Sequence, residues 1–463
     1  MKLRMFAALS LIVLFALILC VPTRAAGELA QGSCGEDVVW VLDEQGVLTI
    51  SGTGAMADYN YGDNPWQMYP VLTVVIEPGV TAIGDFAFEN CADLSSITIP
   101  DTVKRIGQYA FSMCVCLEQI DLPDSITEIG ENAFFCCSVK DITLPAGLTQ
   151  ISKALFHGSD LEKITIPDTV TTIGAMAFYQ CTSLQEVSLP QGLTSLGASA
   201  FDCCFSLTQI TVPAGVTTIP DRAFDSCSDL ASVTLEGAVT AIGNRAFADC
   251  SSLTEISLPE TVNSIGDEAF RGCTGFTEIT LPANAEYLGE YAFADCTELE
   301  RITLPKRITT LYQATFWGCS SLKSVVIPEG VTYVASATFN DCTALEALWI
   351  PESVMEFGHT TFENCENLHH VFYQGSARQW KQVKTGSRDN HYLTDAVRHD
   401  KCQEMQQIDP DTRLCILCQE QTDADSGTAG EDKSGLPWVL ICTGTGAVVG
   451  ALVGLVMAKK KKK

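Results

Sequence analysis

Four residues near the C-terminal end carry the spacing of a metal site. His399 and Cys402 stand three apart, Cys415 and Cys418 stand three apart, and twelve residues separate the pairs. Two short-spaced pairs on two turns suit the tetrahedral nitrogen and thiolate set of structural zinc. The same three thiols, in an oxidising compartment, have a disulfide as their other outcome. Structural zinc is thus the one cofactor the chain suggests. Five of its six histidines, His359, His369, His370, His391 and His399, fall in this region. His369 and His370 are neighbours on a strand and face opposite ways, so they are not expected to act as a ligand pair. No His-Glu-x-x-His, Gly-x-Ser-x-Gly or phosphate-binding loop occurs. No motif brings a nucleophile and a base together, and an enzyme is not expected.

Cysteine recurs in a second way. Phenylalanine stands at 88, 111, 134, 156, 178, 201, 224, 247, 270, 293, 316, 339 and 362, at intervals of 22 or 23. Three residues after each stands a cysteine, from Cys91 and Cys114 to Cys342 and Cys365, with Ser159 as the one exception. A period in the twenties over thirteen units means a solenoid. Equivalent cysteines point the same way in stacked units, with Cβ atoms about one strand spacing apart, ~4.8 Å. A disulfide needs converging Cβ atoms at roughly 3.5–4.5 Å. The twelve ladder cysteines are therefore expected to be buried, reduced thiols packed as small apolar groups. Cys116, Cys136 and Cys203 lie off this ladder, and a bridge between Cys116 and Cys136 stays open.

The elements that carry these residues follow from one unit. Leu94-x-x-Ile97-x-Ile99 ends in a period-two alternation, the mark of a short strand with one buried face. Pro100 lacks an N–H and closes the strand. Val103-x-x-Ile106-Gly107 is a second short extended piece, and Ala110-Phe111-x-x-Cys114 turns three apolar side chains inward. No unit buries its own face, so stability comes from stacking neighbours. The expected fold is a repeat solenoid of units of 22–23 residues each, with short parallel strands. A small N-terminal β cap precedes it, and one C-terminal transmembrane helix follows.

The outward strand residue reads Thr98, Asp121, Thr143, Thr165, Ser188, Thr211, Thr234, Ser257, Thr280 and Thr303, then Val326, Trp349 and Phe372. Hydroxyls suit an exposed sheet face, whereas three consecutive apolar residues are not demanded by the repeat. Val326, Trp349 and Phe372 are the candidate ligand-binding patch, since aromatic anchors dominate interfaces. The alternative is that the chain after Phe372 folds back over them as a cap, which a solenoid end requires.

Both ends address the chain to a membrane. Lys2 and Arg4 precede an apolar run from Met5 to Val21, with small residues at Ala25 and Ala26. Residues 1–26 read as a secretory signal peptide. Residues 436–458 form an uncharged run of 23, long enough to span a bilayer, and residues 459–463 are all lysine. Positive charge stays inside, so a single-pass type I protein with its repeats outside the cell is expected. Gly446, Gly450 and Gly454 share one face of that helix and are candidates for homodimer contact by close backbone approach. Between residues 27 and 435 the chain carries 20 basic against 56 acidic residues, a net of −36. Such a body repels phosphate backbones, so nucleic acid is not an expected partner. Residues 419–435 are polar, acidic and Gly/Ser-containing, the composition of a flexible stalk. No Asn-x-Ser/Thr acceptor occurs, which fits a bacterial source.

The Ile-Pro, Val-x-x-Ile-Gly, Ala-Phe and Cys pattern over residues 71–374, about 13 units, resembles the BspA-like leucine-rich-repeat surface proteins of bacteria. Residues 27–70 are similar to the family's opening module, through Cys34-Gly35, Trp40-Val-Leu-Asp43, Gly46 to Gly52 and Pro65-Trp66. Residues 375–418 are similar to its closing one at the outset, through Gly375, Trp380, Gly386-Ser387 and Asn390 after Tyr373-Gln374. The resemblance implies surface exposure and binding of host proteins, matrix or other cells, with no catalytic residues. An extracellular protein or glycan is the expected partner, in adhesion or recognition. A structural surface component without a specific ligand is the other reading.

Overall fold

The structure, a computed structural model, describes residues 27–386 and 390–400. Among these no helix is long and apolar enough to cross a membrane. The signal peptide 1–26, the spanning segment 436–458 with Gly446, Gly450 and Gly454, and Cys402, Cys415 and Cys418 lie outside the described residues.

The chain opens with an antiparallel meander, β1 (Glu28–Ser33), β2 (Val38–Asp43) and β3 (Val47–Gly52). The outer edge of β3 then pairs in parallel with Thr73–Ile76, and Thr73–Ile76 with Ser96–Thr98. From there the units add strands of two to four residues to a first parallel ladder, in five segments, and to a second; the unit of Ile120 gives the first ladder only an isolated bridge, Gln119↔Asp141. The register advances by one repeat at each step, as in Ile142↔Ile164↔Val187 and Ile173↔Leu196. Between the ladders lies one continuous core, in which all thirteen phenylalanines are fully buried.

Those rings form a single column. Consecutive phenylalanines from Phe88 to Phe362 stack with centroids 5.0–5.9 Å apart. This spacing is the offset arrangement that ring quadrupoles favour. Trp66 extends the column by one ring, 5.6 Å from Phe88. Each turn around a phenylalanine places two residues in the left-handed region, two before and two after the ring, as at Phe86 and Asn90. For non-glycine residues that costs on the order of 1 kcal/mol each. The return is three hydrogen bonds to the next unit: Phe86, Phe88 and Asn90 N–H donate to the carbonyls of Gln108, Ala110 and Ser112. The pattern repeats through the array, so these turns form a directional stack with carbonyls facing its start and N–H groups facing its end.

The second ladder is interrupted three times, before Gln150–Ile151, Thr218–Ile219 and Thr310–Leu311. The residue after each of these strands is Ser152, Pro220 or Tyr312, where most units have glycine. A Cβ on Gly130 would sit 2.4 Å from the Gln108 nitrogen, and one on Gly243 would sit 2.6 Å from the Asp221 nitrogen. Backbone approaches this close exclude a side chain, so a larger residue separates the two units locally. Across the first break the Ser152 hydroxyl donates to the Ile129 carbonyl. Ala335, the smallest replacement, leaves its ladder intact.

Candidate functional site

The outward row is exposed from Thr98 to Thr303, as its hydroxyl composition requires. It then changes character. Val326 and Trp349 are half-buried, and Phe372 is 4% exposed. The reason is the chain that follows. After α1 (Ala377–Trp380) and α2 (His391–Asp395), residues Val397–Asp400 return and pair in parallel with His370–Tyr373. The register runs Val326↔Trp349↔Phe372↔His399, so His399 lands on Phe372. The rings of Trp349 and Phe372 stack at 4.9 Å, and those of Phe372 and His399 at 4.6 Å. The exposed part of the candidate patch is therefore Val326 with Trp349, bordered by a covered Phe372.

His399 is 6% exposed. Its Nε2 lies 3.2 Å from Nδ1 of His370, one alternate position along the neighbouring strand. Burial, then the neighbouring His369, lowers the His370 pKa below the ordinary imidazole value. Of the four spaced metal-ligand residues, only His399 is described, and the described residues contain no cluster of three or more metal-ligating side chains. The structure brings His370 to it, a pairing the local spacing does not reveal because it depends on a return of 27 residues.

The thiol ladder has its own geometry. All sixteen described cysteines are free, Cys116 and Cys136 among them. The thiols of Cys114, Cys181, Cys204, Cys227, Cys250, Cys273, Cys296, Cys319, Cys342 and Cys365 each donate to the carbonyl of the previous unit's phenylalanine, at 3.0–3.2 Å. Burial pushes these thiols far up, to about 12 for Cys181 and Cys365. They are packing groups, because a nucleophilic or metal-binding cysteine needs its thiolate.

Charge is organised on the turn side. Asp202, Arg222, Asp225, Arg245, Glu268, Arg271 and Asp295 form a continuous chain of ion pairs, with Asp202 and Asp225 buried. Residues of this row satisfy one another across units, and their charge is spent internally. Phe135, His157 and Tyr179 precede it as an edge-to-face ring row.

Both ends of the stack are closed by residues whose role the repeat pattern leaves unstated. At the start, the Asp85, Ala87 and Glu89 carbonyls accept from the Tyr59 N–H, the Trp66 indole and the Asn64 amide. At the end, the Asn390 side-chain oxygen accepts from the Phe362 N–H, while its amide donates to the Gly358 carbonyl. Trp66 was findable: it stands 22 residues before Phe88, in step with the period.

The repeat geometry agrees with a known family model, that of the BspA type leucine rich repeat region in 6 copies, which matches residues 68–170, 149–277 and 240–369. The chain belongs to this family. The fold is similar to that of a leucine-rich repeat protein from Bacteroides ovatus, at 24% identity and a TM-score of 0.60, over 82% of this chain and 99% of that one. A leucine rich cell surface protein from Faecalibacterium prausnitzii matches at 27% identity and a TM-score of 0.45, over 79% of this chain and 99% of that one. A leucine-rich repeat protein from Eubacterium ventriosum matches at 25% identity and a TM-score of 0.45, over 73% and 89%. No protein of curated function matches the chain. A BspA type repeat array is in keeping with a non-catalytic recognition role.

Proposed function

We propose that this BspA type array is a cell-surface recognition protein that binds an extracellular protein or glycan in adhesion, without catalysis. The observation that carries the reading is the break in the outward row. Ten exposed, mostly hydroxyl positions give way to Val326 and Trp349, half-buried side chains on an otherwise polar face. An indole held between a β-branched residue and a stacked ring offers a rigid apolar anchor at little entropic cost. The expected signal peptide and the 436–458 segment would hold the array outside the cell, and a glycine-mediated homodimer would let weak ligands be gripped twice.

The test is saturable binding of residues 27–435 to cells and matrix proteins. Trp349→Ala is expected to weaken binding at least about tenfold, as anchor truncations costing more than about 1.4 kcal/mol do, with the circular dichroism of the array unchanged. Undiminished binding by that variant, or no saturable ligand, would remove the reading and leave a structural surface component.

A further inference from the structure

We infer that His370 and His399 together ligate one divalent d-block cation, of which Zn2+ is the best fit, at the C-terminal end of the outward row. This site is distinct from the Val326 and Trp349 surface and does not depend on the recognition reading.

The argument begins with distance. Zinc binds imidazole nitrogen at about 2.0–2.1 Å, so two such nitrogens on one tetrahedral ion lie about 3.3 Å apart. The observed separation of His370 Nδ1 from His399 Nε2 is 3.2 Å. That contact is an imidazole–imidazole hydrogen bond, and a metal ion would take the place of its proton, off the line of the two nitrogens, with the rings turned to aim both lone pairs at it. Both rings are also held. His370 sits on a strand paired on both sides, with Ala347 and with Val397. The His399 ring is stacked on Phe372, 14° from parallel. Held rings lose little freedom on binding, and an apolar wall favours the metal bond over water as the nitrogen's partner.

The donor chemistry agrees. Two imidazoles suit zinc and its d-block neighbours and are poor ligands for calcium or magnesium, which take oxygen. The spacing of His399 and Cys402, with Cys415-x2-Cys418 beyond, independently points to soft ligands nearby in the chain. Those thiols lie outside the described residues, and the assignment stands on the two imidazoles. It would also give the metal a structural task. His370 belongs to the last full repeat strand and His399 to the strand that covers it, so a shared ion would fasten the closing strand to the array.

The test uses the full-length chain without an affinity tag, loaded with Zn2+ alone, or with Co2+ for spectroscopy. About one zinc per chain should be retained after dialysis, and zinc-edge X-ray absorption of the wild type should show two imidazole ligands. His370→Ala and His399→Ala should each lower zinc affinity at least about tenfold and alter the cobalt ligand-field spectrum, as losing a ligand or its close support does. His369→Ala, on the adjacent position, should change neither. Three results would overturn the site: no zinc retained at micromolar free metal, wild-type affinity and spectrum in His370→Ala, or a single imidazole in the absorption spectrum. The last needs no variant, so a poorly folding substitution does not protect the proposal.

Discussion

The two ends of the solenoid are closed with opposite chemistry. The first unit offers carbonyls, and its cap supplies donors: a backbone N–H from Tyr59, an indole N–H from Trp66 and an amide N–H from Asn64. The last unit offers N–H groups, and its cap supplies an acceptor, the Asn390 side-chain oxygen. An indole donates and never accepts, so tryptophan suits only the starting end, whereas asparagine serves either. The ends also differ in apolar closure. Trp66 continues the ring column, while the neighbour of Phe362 on its own unit is Phe357, tilted at 59°. The difference teaches that the stack has a direction, and that its caps are not interchangeable.

The largest effect should come from the starting end. Trp66→Ala removes a fully buried ring and a donor together, and is expected to cost about 3–5 kcal/mol, the range for truncating a buried aromatic. Because each unit contacts only its neighbours, hydrogen exchange should rise in units near Phe88 and Phe111 and stay protected near Phe339. Trp66→Phe keeps a ring without the indole N–H and leaves the Ala87 carbonyl unmet, so its loss should fall well below that of the alanine variant. Equal losses in the two would show that the hydrogen bond, and not the ring, closes this end.

Asn390→Ala should do less, about 1–3 kcal/mol, since it leaves a buried N–H and the Gly358 carbonyl without that partner but removes no ring. Its exchange signature should be the mirror image, confined to the units near Phe339 and Phe362. Uniform loosening of the whole array would contradict nearest-neighbour stacking.

The smallest effect is kinetic and needs no loss of global stability. Burial holds the Cys91 and Cys365 thiols at about 12, so at pH 8 the folded chain has almost no thiolate at either position. For a group whose folded pKa is raised, alkylation below that value waits for local opening, where the ordinary thiol returns. Among the described cysteines, exposed Cys116 should therefore label first in the wild type. Trp66→Ala should accelerate Cys91 relative to Cys365, and Asn390→Ala the reverse. Denatured without reductant, the chain should yield about twelve ladder thiols, in line with their buried, unbridged packing. The same labelling order in both variants would mean that the caps do not act locally.

Much of this was legible in the residues alone. Thirteen phenylalanines and twelve cysteines in register specify a stacked array with a dry core, because no unit can bury its own face. The outward row was legible for the same reason, since period two sends alternate residues out of the sheet. The three interruptions of the second ladder were visible as Ser152, Pro220 and Tyr312 but not readable as interruptions. Their effect depends on how closely the preceding unit approaches, which is a property of two units and not of one.

What the sequence determined by itself was whatever the repeat imposes: the ladder, the ring column, the buried thiols and the face on which Trp349 lies. Tertiary structure decided what happens where the period stops. The 27 residues from Phe372 to His399 keep no repeat interval, yet they return the chain to the same sheet. That return covers Phe372, leaves Val326 and Trp349 as the open part of the row, and sets His399 beside His370. The physical reason is that a periodic pattern encodes contacts between equivalent positions. A cap must instead satisfy the polar groups and the apolar edge that the last repeat leaves without an equivalent.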